Sequence, residues 1–140
     1  MTWSYGPGYW TENGDEKQLA YYEDISDTVD ALIITNDDIA GFIPTGTAIQ
    51  NLRTSSLGND ITRDDTHLTY GIGRYTAALT WAKYFTDLDL SLIDGSVAYK
   101  GDRTEYEAEI KANIDLIKEA VSNAIIAPLK VTASENTSAE

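Results

Sequence analysis

Ile110, Ile114, Ile117, Val121, Ala124 and Ile125 recur at three- and four-residue intervals, and this spacing constrains the chain more than any other feature. It draws one apolar stripe along a helix. The spacing predicts a helix from about Thr104 to Ala127, with the Thr104 hydroxyl as cap and Glu105 and Glu107 at its positive end. Pro128 stops it. Leu19, Tyr22, Ile25, Val29, Leu32 and Ile33 predict another helix over about Gln18 to Ile34, with Asp24, Asp27 and Asp30 on its polar face. Ile72, Tyr75, Leu79, Ala82 and Phe85 do the same for Gly71 to Thr86. A shorter helix is expected from Thr45 or Thr47, either of which could cap it, through Arg53, with Ala48, Ile49 and Leu52 turned inward.

One segment reads differently. Ile39-Ala40-Gly41-Phe42-Ile43-Pro44 is brief, apolar and stopped by a proline, which predicts a short buried strand. One strand is not a sheet. Either the aromatic start supplies a second strand, or part of the fold lies elsewhere. That start carries Trp3, Tyr5, Tyr9 and Trp10 among Gly6, Pro7 and Gly8, and is read as a short extended run and a loop. Its rings could stack on sugars, but covering a core edge is the commoner use of such a cluster. Thr54 to Thr69 is a polar loop. Leu88 to Asp102 is a connection with turn signals at Asp94-Gly95 and Gly101-Asp102.

Charge narrows the function classes. The 140 residues hold 10 Lys and Arg against 23 Asp and Glu, a formal charge of −13. That field repels phosphate backbones and anionic lipid, so neither nucleic acid nor a membrane surface is an expected partner. There is no Cys, which removes disulfides, thiolate catalysis and Cys-based metal sites. No apolar run approaches the roughly 20 residues of a membrane span. The N-terminal residues lack the pattern of a signal peptide, and the compartment stays open. No Walker loop or dinucleotide-binding glycine pattern is present, Asp87-Leu88-Asp89-Leu90-Ser91 lacks the later residues of a calcium loop, and no cofactor is expected. Asn136-Thr137-Ser138 fits a glycosylation sequon, a pattern common by chance.

His67 is the single histidine, and so the one side chain whose unperturbed pKa suits general acid–base work near neutrality. Asp64 lies three residues earlier. In a turn running into a helix, that spacing brings a carboxylate back to the imidazole, where it can hold the ring tautomer and stabilise an imidazolium. Asp-x-x-His alone is a weak signal, since a lone His in a polar loop is usually just exposed.

The surrounding residues carry a resemblance. Thr62-Arg63-Asp64-Asp65-Thr66-His67-Leu68-Thr69, followed by Gly73-Arg74-Tyr75 and Ala77-Ala78, resembles the last block of SGNH (GDSL-type) serine hydrolases. Met1 to Tyr5, Ile43 to Arg53 and Ala124 to Thr132 resemble one uncharacterised bacterial branch of that superfamily. The resemblance implies an α/β fold: the C-terminal part of a flavodoxin-like hydrolase, helix-rich with one or two parallel strands, over residues 1–132. Residues 133–140 are expected to be a disordered tail. It implies Asp64 as triad acid, His67 as general base and an acyl ester, plausibly on carbohydrate, as substrate. Where relatives tend to carry Gly after the acid, this chain has Asp65, which tolerates left-handed backbone better than most residues.

The serine block is missing. Gly14-Asp15-Glu16 has no serine, Gly58-Asn59-Asp60 mimics the family's Asn block in the wrong order, and Ser55 and Ser56 lie in a polar loop. The expectation is therefore a chain resembling the latter part of such a domain, starting at an internal Met and inactive alone. It would need a missing N-terminal half, a partner chain or a homo-oligomer. The rival expectation is a non-catalytic binding or assembly module.

Overall fold

A computed structural model describes residues 1–97 and 105–137. Five α-helices account for its regular structure: α1 (Gly14–Val29), α2 (Thr45–Arg53), α3 (Ile72–Thr86), α4 (Glu105–Ala112) and α5 (Ile114–Ile126). A π-helical turn, Asp30–Ile34, extends α1, and short 3-10 turns form at Pro7–Tyr9 and Leu90–Leu92. Thr104 and the Gly101-Asp102 turn lie outside the described residues, as do residues 138–140.

Helix α2 is the centre. It packs against both α3 and α5, which also pack on each other. All nine of its residues are buried. Its Ala48, Ile49 and Leu52 meet Ile72 and Leu79 of α3, Ile110 of α4 and Ile117, Ala120, Val121 and Ala124 of α5 in one core. A helix enclosed on every side must also satisfy its polar face. Gln50 exchanges side-chain hydrogen bonds with Gln18 (2.6 and 3.0 Å). Asn51 donates to the Ala120 carbonyl (3.3 Å) and accepts from the Thr132 amide (2.8 Å). Neither threonine caps the helix. Thr47 instead donates to the Pro128 carbonyl (2.6 Å), and the Thr45 hydroxyl accepts from Trp81 Nε1 (3.1 Å).

The α/β expectation is overturned. The described residues form an all-helical arrangement with no strand, neither one nor two parallel strands of a flavodoxin-like sheet. Ile39 to Pro44 has strand composition but no partner strand, and strand pairing is what makes a strand. Residues 39–41 are exposed there. The aromatic start forms no ladder either. It meets the candidate loop through isolated hydrogen bonds, from Trp3 Nε1 to the Thr66 carbonyl (3.0 Å) and from the Gly6 amide to the Asp65 carbonyl (2.6 Å). Tyr5 stacks between Tyr9 and Tyr21, at 4.3 and 5.3 Å between ring centroids, so these rings pack chiefly on each other.

Two helix expectations also need correction. The last helix is two helices, broken at Asn113, whose side chain donates to the Glu109 carbonyl (2.9 Å). The stripe on α1 does not stay inward: Tyr22 is buried, but Leu19 and Leu32 are exposed. The C-terminal stretch is held to α5 through Glu119, which accepts from the Ser134 hydroxyl and the Glu135 amide (2.7 Å each).

Candidate functional site

The segment between α2 and α3 folds into a tight double-back. Thr62 and Leu68 form an isolated antiparallel bridge, the Arg63 amide donates to the His67 carbonyl (2.9 Å) and the Thr69 amide to the Ile61 carbonyl (3.0 Å). Ile61 and Leu68, at 0% and 4% exposure, anchor both arms in the core. Sequence polarity hid these two plugs, since isolated apolar residues in a polar run carry no period. Gly73 lets α3 begin against this turn: a Cβ there would lie 2.6 Å from the Ile61 carbonyl oxygen.

At the tip, Asp64 and His67 come together. His67 Nδ1 lies 2.9 Å from Asp64 Oδ2 and 3.1 Å from Oδ1. Asp64 Oδ1 also accepts the backbone amides of His67 (2.7 Å) and Thr66 (3.2 Å). The carboxylate thus builds the turn and orients the ring. Among the described residues His67 Nε2 has no hydrogen-bond partner, and the His67 side chain is 60% exposed. One ring nitrogen is held by an acid while the other is open.

The same contacts lower the Asp64 pKa from 3.8 to about 2. The His67 amide is the largest cause and the His67 ring the next, then the slight opposing effect of burial, then the Thr66 amide. A depressed folded-state value makes the contribution of this turn fully present above the unfolded value and lost as pH falls through about 2. A carboxyl-carbon NMR titration is expected to show Asp64 ionised throughout the range where free aspartates protonate. A midpoint near the ordinary value would mean that the turn opens in solution.

Asp65 directly follows the acid of the pair. Its φ is 57°, the left-handed region. Its carboxylate points away from the imidazole toward the N-terminal loop and accepts the Gly8 amide (3.2 Å), while its carbonyl accepts the Gly6 amide (2.6 Å). Asp65→Gly is expected to change stability little, because the strained residue and its one contact leave together. Asp65→Ala should cost about 1 kcal/mol in urea unfolding, since a Cβ in left-handed backbone is penalised without compensation.

Ser56 is exposed, while Ser55, Ser4 and Asn59 are engaged elsewhere. Ser55 donates to the Leu52 carbonyl (2.7 Å) and Ser4 to the Gln18 carbonyl (2.9 Å), both buried. Among the described residues no serine hydroxyl bonds His67. Asn59 Oδ1 accepts from Arg53 Nη1 (2.7 Å), so the Gly58-Asn59-Asp60 mimic serves Arg53. Burial pushes the Arg53 guanidinium down to about 10, against the pull of the Asp65 charge. Among the described residues no three acidic or His side chains are placed to share a metal ion, and no helix is long and apolar enough to cross a membrane.

Sequence reasoning missed Tyr70. The Arg63 and Arg74 guanidinium carbons lie 4.8 and 4.4 Å from its ring centroid. The signal was available in Arg-x6-Tyr-x3-Arg, but such a spacing gains meaning only once the turn brings its ends together.

A helical domain with an acid-held histidine at an exposed turn is the class that this geometry defines. The chain belongs to a family described as a domain of unknown function, DUF4886, whose profile matches residues 2–124. A crystal structure of a DUF4886 family protein from Bacteroides uniformis is 34% identical, with a TM-score of 0.69. The match covers 94% of this chain and 48% of that one, so the chain spans about half the length of that relative. Among curated proteins none matches.

Proposed function

We propose that Asp64 and His67 are the acid and base of a serine-hydrolase triad acting on acyl esters, as in the SGNH-type enzymes that the 62–75 block resembles. The observation that carries this reading is the pairing of His67 Nδ1 with the Asp64 carboxylate while Nε2 stays open. His67 Nε2 would take the proton of an attacking serine hydroxyl. The oxygen would add to the ester carbonyl, and the imidazolium would return the proton to the departing alcohol, leaving an acyl-enzyme. Water activated the same way would release the acid. Asp64 would hold the tautomer and stabilise the imidazolium.

The nucleophile in this reading comes from outside the 140 residues, either from more of the same polypeptide or from a second chain. The half-length match to the Bacteroides uniformis relative leaves room for such a contribution. The test is fluorophosphonate labelling of the protein at the length the cell makes. Labelling of one serine, dependent on His67 and mapped outside these residues, supports the reading. A protein that neither takes the label nor hydrolyses simple acyl esters sinks it. The 140-residue chain alone is expected to hydrolyse p-nitrophenyl acetate no faster than its His67→Ala variant.

A further inference from the structure

Arg63 and Arg74 are exposed, and neither forms an ion pair with any described carboxylate. In a chain of net charge −13, two guanidiniums gathered at one ring with no ion pair to a described carboxylate are against the trend of the surface. Both are held over one ring, Tyr70. Stacking on an aromatic face fixes a guanidinium's plane and leaves its edge N–H donors free, which lowers the ordering cost of gripping an oxyanion. The mutual repulsion of two cations held at one ring falls when an anion binds beside them.

Two further features place a ligand here. A cleft of about 210 Å³ opens between the start of α3 and α4, with Tyr70, Arg74, Tyr75, Val97 and Tyr106 among its walls. It is smaller than a drug-sized pocket of roughly 300–1,000 Å³ and suits a single ring with a substituent. Arg63 also directly precedes Asp64, and its amide bonds the His67 carbonyl (2.9 Å), so the cation and the imidazole belong to one rigid turn. Glu109, exposed on α4, packs its carboxylate against Gly71 at the cleft wall and makes no ion pair with either arginine.

We propose that Arg63 and Arg74, stacked on Tyr70, form a subsite next to His67 for the oxyanion of an acidic sugar, carried as a ring carboxylate or a sulfate ester. Bidentate guanidinium recognition suits both planar carboxylate and sulfate oxygens. The proposal rests on the hydrolase reading for its meaning as a substrate subsite, but the binding itself needs no serine. It would select acidic over neutral esters by holding the charged group while the acyl ester lies at His67.

The experiment is an NMR titration of the 140-residue chain, following the arginine Nε–H signals, with glucuronate, glucose 6-sulfate, glucose, acetate and inorganic sulfate as separate probes. Arg63 and Arg74 signals should shift saturably with glucuronate or glucose 6-sulfate, with Kd at least tenfold below that for glucose, acetate or free sulfate. The better of the two acidic sugars identifies the source of the oxyanion. Arg63→Gln and Arg74→Gln should each raise that Kd about tenfold, and Glu109→Gln should lower it. Glucose or the free ions binding as tightly as the acidic sugars would overturn the proposal, as would no binding at all. An unchanged Kd in both arginine variants would do the same. Should a variant fold poorly, the signal map of the unaltered chain still decides. Binding by the chain with no His67-dependent hydrolysis by the native-length protein would remove only the hydrolase reading. Hydrolysis without binding would remove only the subsite.

Discussion

His67→Ala is expected to lower ester hydrolysis by the native-length protein by on the order of 10⁴-fold or more. Without the imidazole a serine hydroxyl has no proton acceptor, and only substrate binding and any oxyanion donors remain. Asp64→Asn separates the charge from the turn. The asparagine carbonyl can still accept the His67 and Thr66 amides now taken by Oδ1, so the loop should survive. What is lost is the charge that favours the imidazolium and the correct tautomer. Because the Asp64 side chain is 46% exposed, water screens that charge, and a loss of about 10²- to 10⁴-fold is expected. The double variant should be no worse than His67→Ala, since members of a triad act as a unit. Both positions are open to solvent, so urea unfolding of the two variants should move by no more than about 0.5 kcal/mol. Loss of activity with intact folding assigns the effect to chemistry. Full activity in His67→Ala would mean that the Asp64–His67 pair merely shapes the turn.

The pair and its spacing were legible in the sequence because an i, i+3 contact depends only on a local turn. The positions of α1, α2 and α3 were legible for a similar reason: 3.6-residue periodicity is a local property. Non-local features were not. Ile39 to Pro44 has the composition of a buried strand, yet a strand exists only through partners, and the described residues supply none. Asn113 looked like one more polar position on a long helix, but it breaks that helix in two. Ile61 and Leu68 read as loop because their burial comes from α2, α3 and α5 closing over them. The Arg63–Tyr70–Arg74 spacing could be read, but not its meaning, because its members come from the turn and the start of the following helix. Asp65 was judged from residue type alone, and its left-handed backbone, φ 57°, agrees with that reasoning.

Ile117→Ala should produce the largest stability loss in the chain, about 2–5 kcal/mol in urea unfolding. Ile117 is 0% exposed and sits in the cluster that α5 shares with α2 and α3. Truncation removes its burial free energy and leaves a cavity between helices too tightly packed to close over it. That is a large share of the roughly 5–15 kcal/mol that holds a domain together. Phe85→Ala provides the contrast. By periodicity Phe85 is as much a core residue as Leu79, about one and two-thirds turns further along the same stripe of α3. In the fold it is 67% exposed and touches mainly the rings of Trp81 and Tyr84. Its loss should cost no more than about 1 kcal/mol, the scale of an exposed aromatic contact. The two variants therefore weigh apolar periodicity against observed packing. Equal losses would place Phe85 in a buried interface of the isolated chain and require α3 to be rotated about its axis. A severalfold difference would fix the inward face of α3 on Ile72, Thr76 and Leu79, and with it the direction from which α3 supports the His67 turn.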